Sequence, residues 1–147
     1  MTASGFVYLG AAAVRRRAAA WPMFMISFVL VSIGFVVTGS APTWWMLGLG
    51  AALVVFGLVR GGLRPPWGLP LQTGAMIVLA STAVLGAVLA GPWAGVLVSA
   101  ALLGHAGWDV YHRRSDRVVA RSMTEFCGVL DTVLAAVVLV STLSSAA

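Results

Sequence analysis

Long apolar stretches dominate this chain of 147 residues and restrict what it can fold into. A helix needs about 20 mainly apolar residues to cross a hydrocarbon core of about 30 Å. Segments of that length alternate with short breaks rich in glycine and proline, which end helices. We therefore predict a single-domain, all-α, polytopic transmembrane bundle of five helices, at about 18–39, 43–60, 71–91, 93–112 and 124–143.

The composition agrees with this class. Hydrophobic residues make up 61% of the chain and charged residues 9%, which is unusual for a soluble domain. The runs are rich in alanine and leucine and lack alternating polarity, so strands are not expected as the main architecture. All nine basic residues are arginines, and the basic excess reflects few acids rather than a basic patch. Nucleic acid is therefore not an expected partner.

The arginines also predict an orientation. They occur at 15–17, 60, 64, 113, 114, 117 and 121, whereas the connections near residues 40 and 92 carry no charge. Because cytoplasmic loops are enriched in Arg, we expect the N-terminus inside, the C-terminus outside and a multi-pass location in the cell's inner (plasma) membrane. The lipid bilayer is then an obligatory partner, and a homo-oligomer is compatible with the pattern. The preceding segment 6–13 is expected along the membrane surface or as a fraying end, with Phe6 and Tyr8 as anchors.

One predicted helix carries polar groups that lipid disfavours. His105, Asp109 and His112 follow each other at offsets of four and three residues, which puts them on one helical face. Ionisable residues inside membrane helices nearly always face a partner or a cavity. This face is therefore where the sequence predicts a site.

A partner for this face is expected on the last helix. Ser122 and Glu125 form the Ser-x-x-Glu pattern of a capping box, which would start that helix at the membrane surface. At 1.5 Å per residue, Asp131 then lies about 9 Å deep, and His105 lies about 10 Å beyond His112. We therefore predict that His105 and Asp131 meet between antiparallel neighbours.

The site expected from these patterns has two parts. The candidate catalytic residues are His105, Asp109, Asp131, His112 and Glu125, and the candidate pocket residues are Trp108, Tyr111 and Gln72.

Several of these residues have a purely structural interpretation. His112 can extend to the interface, Glu125 can cap its helix, and Asp109 can pair with Arg113 one turn on. Trp108 and Tyr111 also suit an aromatic belt at the membrane surface, and a buried His–Asp pair can serve only to fix helix register.

The chemistry that these groups favour is general acid–base catalysis without a cofactor. A buried carboxylic acid, Asp131 or Asp109, and an imidazole, His105, suit isomerisation, cyclisation or hydration of a lipophilic small molecule such as an isoprenoid, a sterol-like lipid or a polyketide. One alternative is a metal-dependent membrane oxidoreductase with His105, Asp109 and His112 as ligands and with Asp131 or Glu125 contributed by another helix. Another is a non-catalytic accessory subunit of a membrane complex.

The pattern His-x-x-Trp-Asp-x-x-His at 105–112, followed by Phe126, Cys127 and Asp131, resembles the last two helices of small bacterial integral membrane proteins. The resemblance covers roughly the last quarter of the chain. It implies that these residues form one unit in the membrane and implies no particular activity.

Overall fold

A computed structural model describes residues 2–38, 43–89 and 91–146, and these residues form helices with no strand among them. Three helical segments are long and apolar enough to cross a membrane, namely Arg17–Val37, Leu69–Val88 and Arg121–Ser145. Large apolar side chains cover the outside of the bundle; Val36 and Val59, for example, are 85% and 82% exposed. Such a surface suits lipid rather than water. The chain is an all-helical membrane protein.

The described residues contain six helices, so the predicted count of five is not confirmed. A short 3-10 turn, Arg17–Ala19, joins the first two. The helices are α1 (Thr2–Val14), α2 (Ala20–Thr38), α3 (Thr43–Val59), α4 (Leu69–Val88), α5 (Pro92–Ser115) and α6 (Arg121–Ala146). Helices α2 to α6 overlap the five predicted segments with ends shifted by up to three residues, and the predicted break at 39–42 lies outside the described residues.

The additional helix, α1, lies in the middle of the bundle. It packs against α2, α3 and α4, and Phe6 and Tyr8 are only 3% and 2% exposed. The expectation that they anchor the segment at the membrane surface was therefore wrong. Thirteen residues are too few to cross a bilayer, but glycines allow close contact: a Cβ on Gly10 would lie 2.7 Å from the Met23 side chain.

Helices α5 and α6 form the most extensive helix pair. A Cβ on Gly95 would lie 2.8 Å from Cβ of Thr142, and a Cβ on Gly128 would lie 3.6 Å from Cβ of Asp109. Small residues thus let the two backbones approach along their length, which is the usual way that helices associate in lipid. The buried face of α5 consists of Ser99, Leu102, His105, Asp109 and His112.

The start of α6 differs from the expectation. The helix begins at Arg121, so Ser122 already lies inside its first turn. The Ser122 hydroxyl accepts a hydrogen bond from the Trp21 indole, and Glu125 pairs with Arg113 of α5 at 2.8 Å. The predicted capping box is therefore not formed.

The α1–α2, α3–α4 and α5–α6 connections lie together at one end of the bundle, which we call the basic end. Arg15 donates to the carbonyl oxygens of Gly61 and Arg64, which ties the first connection to the second. Arg17 pairs with Asp116 at 3.0 Å, which ties it to the third. The three connections that carry arginines therefore contact one another at the same end of the bundle.

The packing of α3 against α1 can be tested at a glycine. A Cβ on Gly57 would lie 2.7 Å from Leu69 and 3.4 Å from Cα of Ala13, whereas one on Gly48 meets nothing within 4 Å. We expect Gly57→Leu to lower the free energy of unfolding by about 1 to 3 kcal/mol, as overpacked cores do. Gly48→Leu, on the same helix, is the matched control and is expected to change it by less than about 0.5 kcal/mol. Unfolding in mixed micelles by dodecyl sulfate titration measures both, and equal effects would contradict this packing.

Candidate functional site

The polar face of α5 is buried. His105, Asp109 and His112 are 4%, 1% and 2% exposed, and they succeed one another down the inner side of the helix. Their spacing of four and three residues places each about one turn from the next. The three residues therefore form one continuous polar stripe inside an otherwise apolar bundle, as the sequence predicts.

His105 and Asp131 meet between α5 and α6. Nδ1 of His105 lies 2.7 Å from Oδ2 of Asp131, and both side chains are at most 5% exposed. The predicted contact between these two residues is thus present. A carboxylate and an imidazole at this distance satisfy each other, which removes most of the cost of placing either of them in a lipid-embedded core.

Asp109 extends the contact to a third helix. Its Oδ1 accepts a hydrogen bond from the Tyr8 hydroxyl of α1, and its Oδ2 lies 3.5 Å from Nδ1 of His105. Oδ2 is buried and has no hydrogen-bond partner within the part of the chain that the structure describes. We call Tyr8, Asp109, His105 and Asp131 the buried network.

Sequence reasoning did not include Tyr8 in the site. It is one of two tyrosines in the chain and lies among small and apolar residues that allow helices to pack closely around it. A buried phenol usually needs a hydrogen-bond partner, and this need was the one indication of its role in the sequence.

His112 belongs to a neighbouring set of contacts. Its Nε2 lies 3.0 Å from the Gln72 amide nitrogen, and its Nδ1 lies 3.1 Å from the Trp108 carbonyl oxygen. The amide nitrogen can only donate and the carbonyl oxygen can only accept, so these partners fit a neutral ring protonated at Nδ1. His112 is thus buried and fully hydrogen-bonded and does not extend to the interface.

Two candidates lie away from the buried network. Glu125 is about half exposed and pairs with Arg113, so the expected pairing of Arg113 with Asp109 is also not formed. Tyr111 is 47% exposed. Glu125 precedes Asp131 by six residues, and Tyr111 follows His105 by six. Since six residues turn a helix about 240°, neither shares the face of its neighbour in the network.

A cavity of about 520 Å³ lies beside the network, between α1, α4 and α5. His105, Tyr8, Gln72 and Trp108 line it, and most of the remaining wall is apolar. Asp109 and Asp131 do not line it. The volume lies within the range of pockets that hold small organic ligands. Val78, on the α4 wall, is 65% exposed on the outer surface of the bundle, so the cavity opens on the side that faces lipid.

The network also contains a set of groups able to bind a metal ion. One atom each from His105, Asp109 and Asp131 lie within 4.8 Å of one another. The alternative ligand set expected from the sequence contained His112, whose ring nitrogens are both engaged elsewhere. In the structure, Asp131 rather than His112 is the third possible ligand.

Comparison with known proteins adds no family: no protein-family model matches the chain, and no match is found among curated proteins or solved structures. Function therefore has to be inferred from the residues themselves.

The Tyr8 hydroxyl provides a first test of the network. In Tyr8→Phe, Asp109 keeps its burial but loses the hydroxyl that donates to its Oδ1, so we expect a loss of about 1 to 3 kcal/mol in the free energy of unfolding. Tyr111→Phe removes the other tyrosine hydroxyl, from a side chain that is about half exposed, and is expected to be neutral. Dodecyl sulfate titration compares the two; equal stability of both variants and the parent would show that Tyr8 does not support Asp109.

The cavity can be tested with two glycines of α5. A Cβ on Gly104 or on Gly107 meets nothing within 4 Å, but only Gly104 lines the cavity. We expect Gly104→Leu to reduce photolabelling by a diazirine-bearing farnesol analogue severalfold, because the added side chain occupies the space of the guest. Gly107→Leu is the matched control and should label like the parent. Peptide mapping by mass spectrometry locates the label, and labelling unchanged by Gly104→Leu would contradict a binding cavity at this place.

Proposed function

We propose that the protein is an integral membrane enzyme that acts on a lipophilic small molecule by general acid–base catalysis at His105. The observation that carries the proposal is the position of His105, which lines a largely apolar cavity while its Nδ1 contacts Asp131. An imidazole held by a carboxylate at one nitrogen presents the other nitrogen for proton transfer.

The proton inventory supports this role. In the neutral ring, a proton on Nδ1 of His105 is donated to Asp131 and the lone pair lies on Nε2, which we assign as the base. Within the described residues Nε2 has no hydrogen-bond partner, and a guest in the cavity is the group it can meet. When Nε2 takes a proton from the guest, the imidazolium that forms lies between Asp131 and Asp109 and is stabilised by both carboxylates. Return of the proton to another atom of the guest completes an isomerisation.

The two aspartates thus take a different part from the one that the sequence suggested. Neither lines the cavity, so we assign both as positioning residues that act through His105 rather than as acids that touch the guest. Tyr8 holds Asp109 in place. Residues of α1 and α6 therefore position one catalytic imidazole, which is on α5.

The cavity supports a lipophilic substrate. Its wall is mainly apolar, so a hydrocarbon guest is favoured over a charged one. Gln72 is a polar residue of the wall; its amide oxygen is buried and lacks a partner in the described chain. An isoprenoid, a sterol-like lipid or a polyketide with one polar group fits these features. Isomerisation is the reaction that one base of this kind serves by itself; cyclisation or hydration would in addition need a group that donates a proton to the guest.

We further propose a multi-pass protein of a bacterial inner (plasma) membrane with its basic end in the cytoplasm. The grouping of the three arginine-bearing connections at one end supports this orientation, because positive charge is retained on the cytoplasmic side. In this orientation α6 ends on the outside, whereas α1 runs from Thr2 inside the bundle to the basic end, so the expectation of an N-terminus in the cytoplasm is not supported.

A second candidate function is a metal-dependent membrane enzyme. The favouring observation is the unpartnered Oδ2 of Asp109, which lies close to the donor atoms of His105 and Asp131. One nitrogen and two carboxylate oxygens suit iron, manganese or zinc. A metal ion bound at Nδ1 of His105 would replace the proton there. The acid–base function and the metal-dependent function therefore exclude each other, and an experiment can distinguish them.

The acid–base proposal is tested by exchange of carbon-bound protons. Membranes that contain the protein are incubated with a lipid extract of the same cells in D₂O, and deuterium in each lipid is measured by mass spectrometry. We expect incorporation into one lipid class, reduced about 100-fold or more by His105→Gln, because general base catalysis contributes that much. Asp131→Asn is expected to reduce it less, since the imidazole remains. His112→Gln, which changes the other histidine, should retain most of the activity.

Circular dichroism of each purified variant keeps folding separate from catalysis. Exchange that survives His105→Gln in a folded protein would overturn the proposal. Stoichiometric iron or zinc that is lost in Asp109→Asn would favour the metal candidate instead. A fixed partner protein recovered from native membranes, without any exchange, would favour an accessory subunit.

A further inference from the structure

A second cavity, of about 270 Å³, lies at the basic end, between the α1–α2, α3–α4 and α5–α6 connections. Residues from all three connections line it, and five of them are arginines: Arg15, Arg16, Arg17, Arg64 and Arg117. A single basic cavity is not predicted from the sequence, because these arginines are up to 102 positions apart. The fold brings them around one concave space.

The positive charge of this cavity is largely uncompensated. Of the four acids, Asp109 and Asp131 are buried in the network, and Glu125 pairs with Arg113. Asp116 contacts Arg17 and Arg121.

No acidic residue lines the cavity, and Arg16, Arg64 and Arg117 have no carboxylate within 4 Å among the described residues. A concave surface of this kind concentrates a positive potential and attracts an anion.

The remaining lining identifies which anion fits. Ala11, Ala12, Leu69 and Val118 give the cavity an apolar wall, and Trp67 lies beside Arg117 at 5.4 Å from ring centre to guanidinium. Guanidinium groups match the oxygens of a phosphate, whereas an apolar wall with a tryptophan suits the first carbons of a lipid. A free phosphate uses the arginines but gains nothing from the apolar wall.

We propose that this cavity binds the phosphate headgroup of an anionic membrane lipid. The arginines contact the phosphate at the membrane surface, and the apolar wall receives the adjoining part of the lipid. The site is separate from the cavity at His105, since the two share no lining residue, and it holds whether or not the protein is an enzyme.

The arginines of the cavity differ in their suitability for a test. Arg15 and Arg17 tie the three connections together, so changing them alters the walls as well as the charge. The side chains of Arg16 and Arg64 make no such tie and are the informative pair, whereas Arg117 contacts the Trp67 ring of another connection. Arg60 and Arg114 carry the same charge at the same end of the bundle but do not line the cavity, and they form the matched control.

Native mass spectrometry of the detergent-purified protein measures lipid retention. Dioleoylphosphatidylglycerol and dioleoylphosphatidylcholine are titrated against the parent, the doubly substituted Arg16→Gln/Arg64→Gln protein and the doubly substituted Arg60→Gln/Arg114→Gln protein. We expect one phosphatidylglycerol to be retained in preference to phosphatidylcholine. Its affinity should fall about 25-fold in the cavity variant, at about 5-fold for each arginine removed near an anionic lipid surface. The control variant should keep the affinity of the parent to within about 2-fold.

Equal losses in the two variants would overturn the proposal, because the arginines would then act only through the total charge of the basic end. Competition with inorganic phosphate separates the sources of the anion. If inorganic phosphate displaces the lipid at the concentration at which a competing lipid does so, the cavity binds a soluble anion. That result would also contradict a lipid site. Thermal unfolding of both variants shows that each is folded before its lipid binding is compared.

Discussion

The contact between His105 and Asp131 is the interaction on which the rest of this structure depends. A charged side chain at the centre of a membrane helix costs about 2.5 to 3.5 kcal/mol on insertion scales, and two such residues on adjacent helices are tolerated when each satisfies the other. At 2.7 Å the contact fixes the register of α5 against α6. Asp109 and Tyr8 then carry the same polar chain across to α1, so three helices are positioned by one set of hydrogen bonds.

The long helices and the polar face of α5 were predictable because their causes are local. Apolar length determines which segments can span, and a repeat of three or four residues determines which side chains share a face. The pairing of His105 with Asp131 also followed, since a short connection makes α5 and α6 antiparallel neighbours and the rise per residue sets the depth of each side chain.

What could not be predicted depends on packing between distant segments. Helix α1 is too short to span, so no rule of length identifies it, and its burial is decided by the glycines that face Met23 and Met76. Its contribution of Tyr8 to Asp109 joins residues 101 positions apart. The basic cavity is a similar case, because its arginines come from three connections that only the tertiary fold brings together. Helix α1 borders both cavities, with Tyr8 and Gly5 beside one and Ala11 and Ala12 beside the other.

The most direct test of the central claim is a solid-state NMR distance between His105 and Asp131 in lipid bilayers. The chain contains two histidines and three aspartates, so protein labelled with ¹⁵N-histidine and ¹³C-aspartate gives few, assignable signals. We expect dipolar coupling from Nδ1 of His105 to the side-chain carboxyl carbon of Asp131, and its loss in Asp131→Asn, with a weaker coupling to Asp109 remaining. A His105 ring that couples to no aspartate carboxyl would contradict the account.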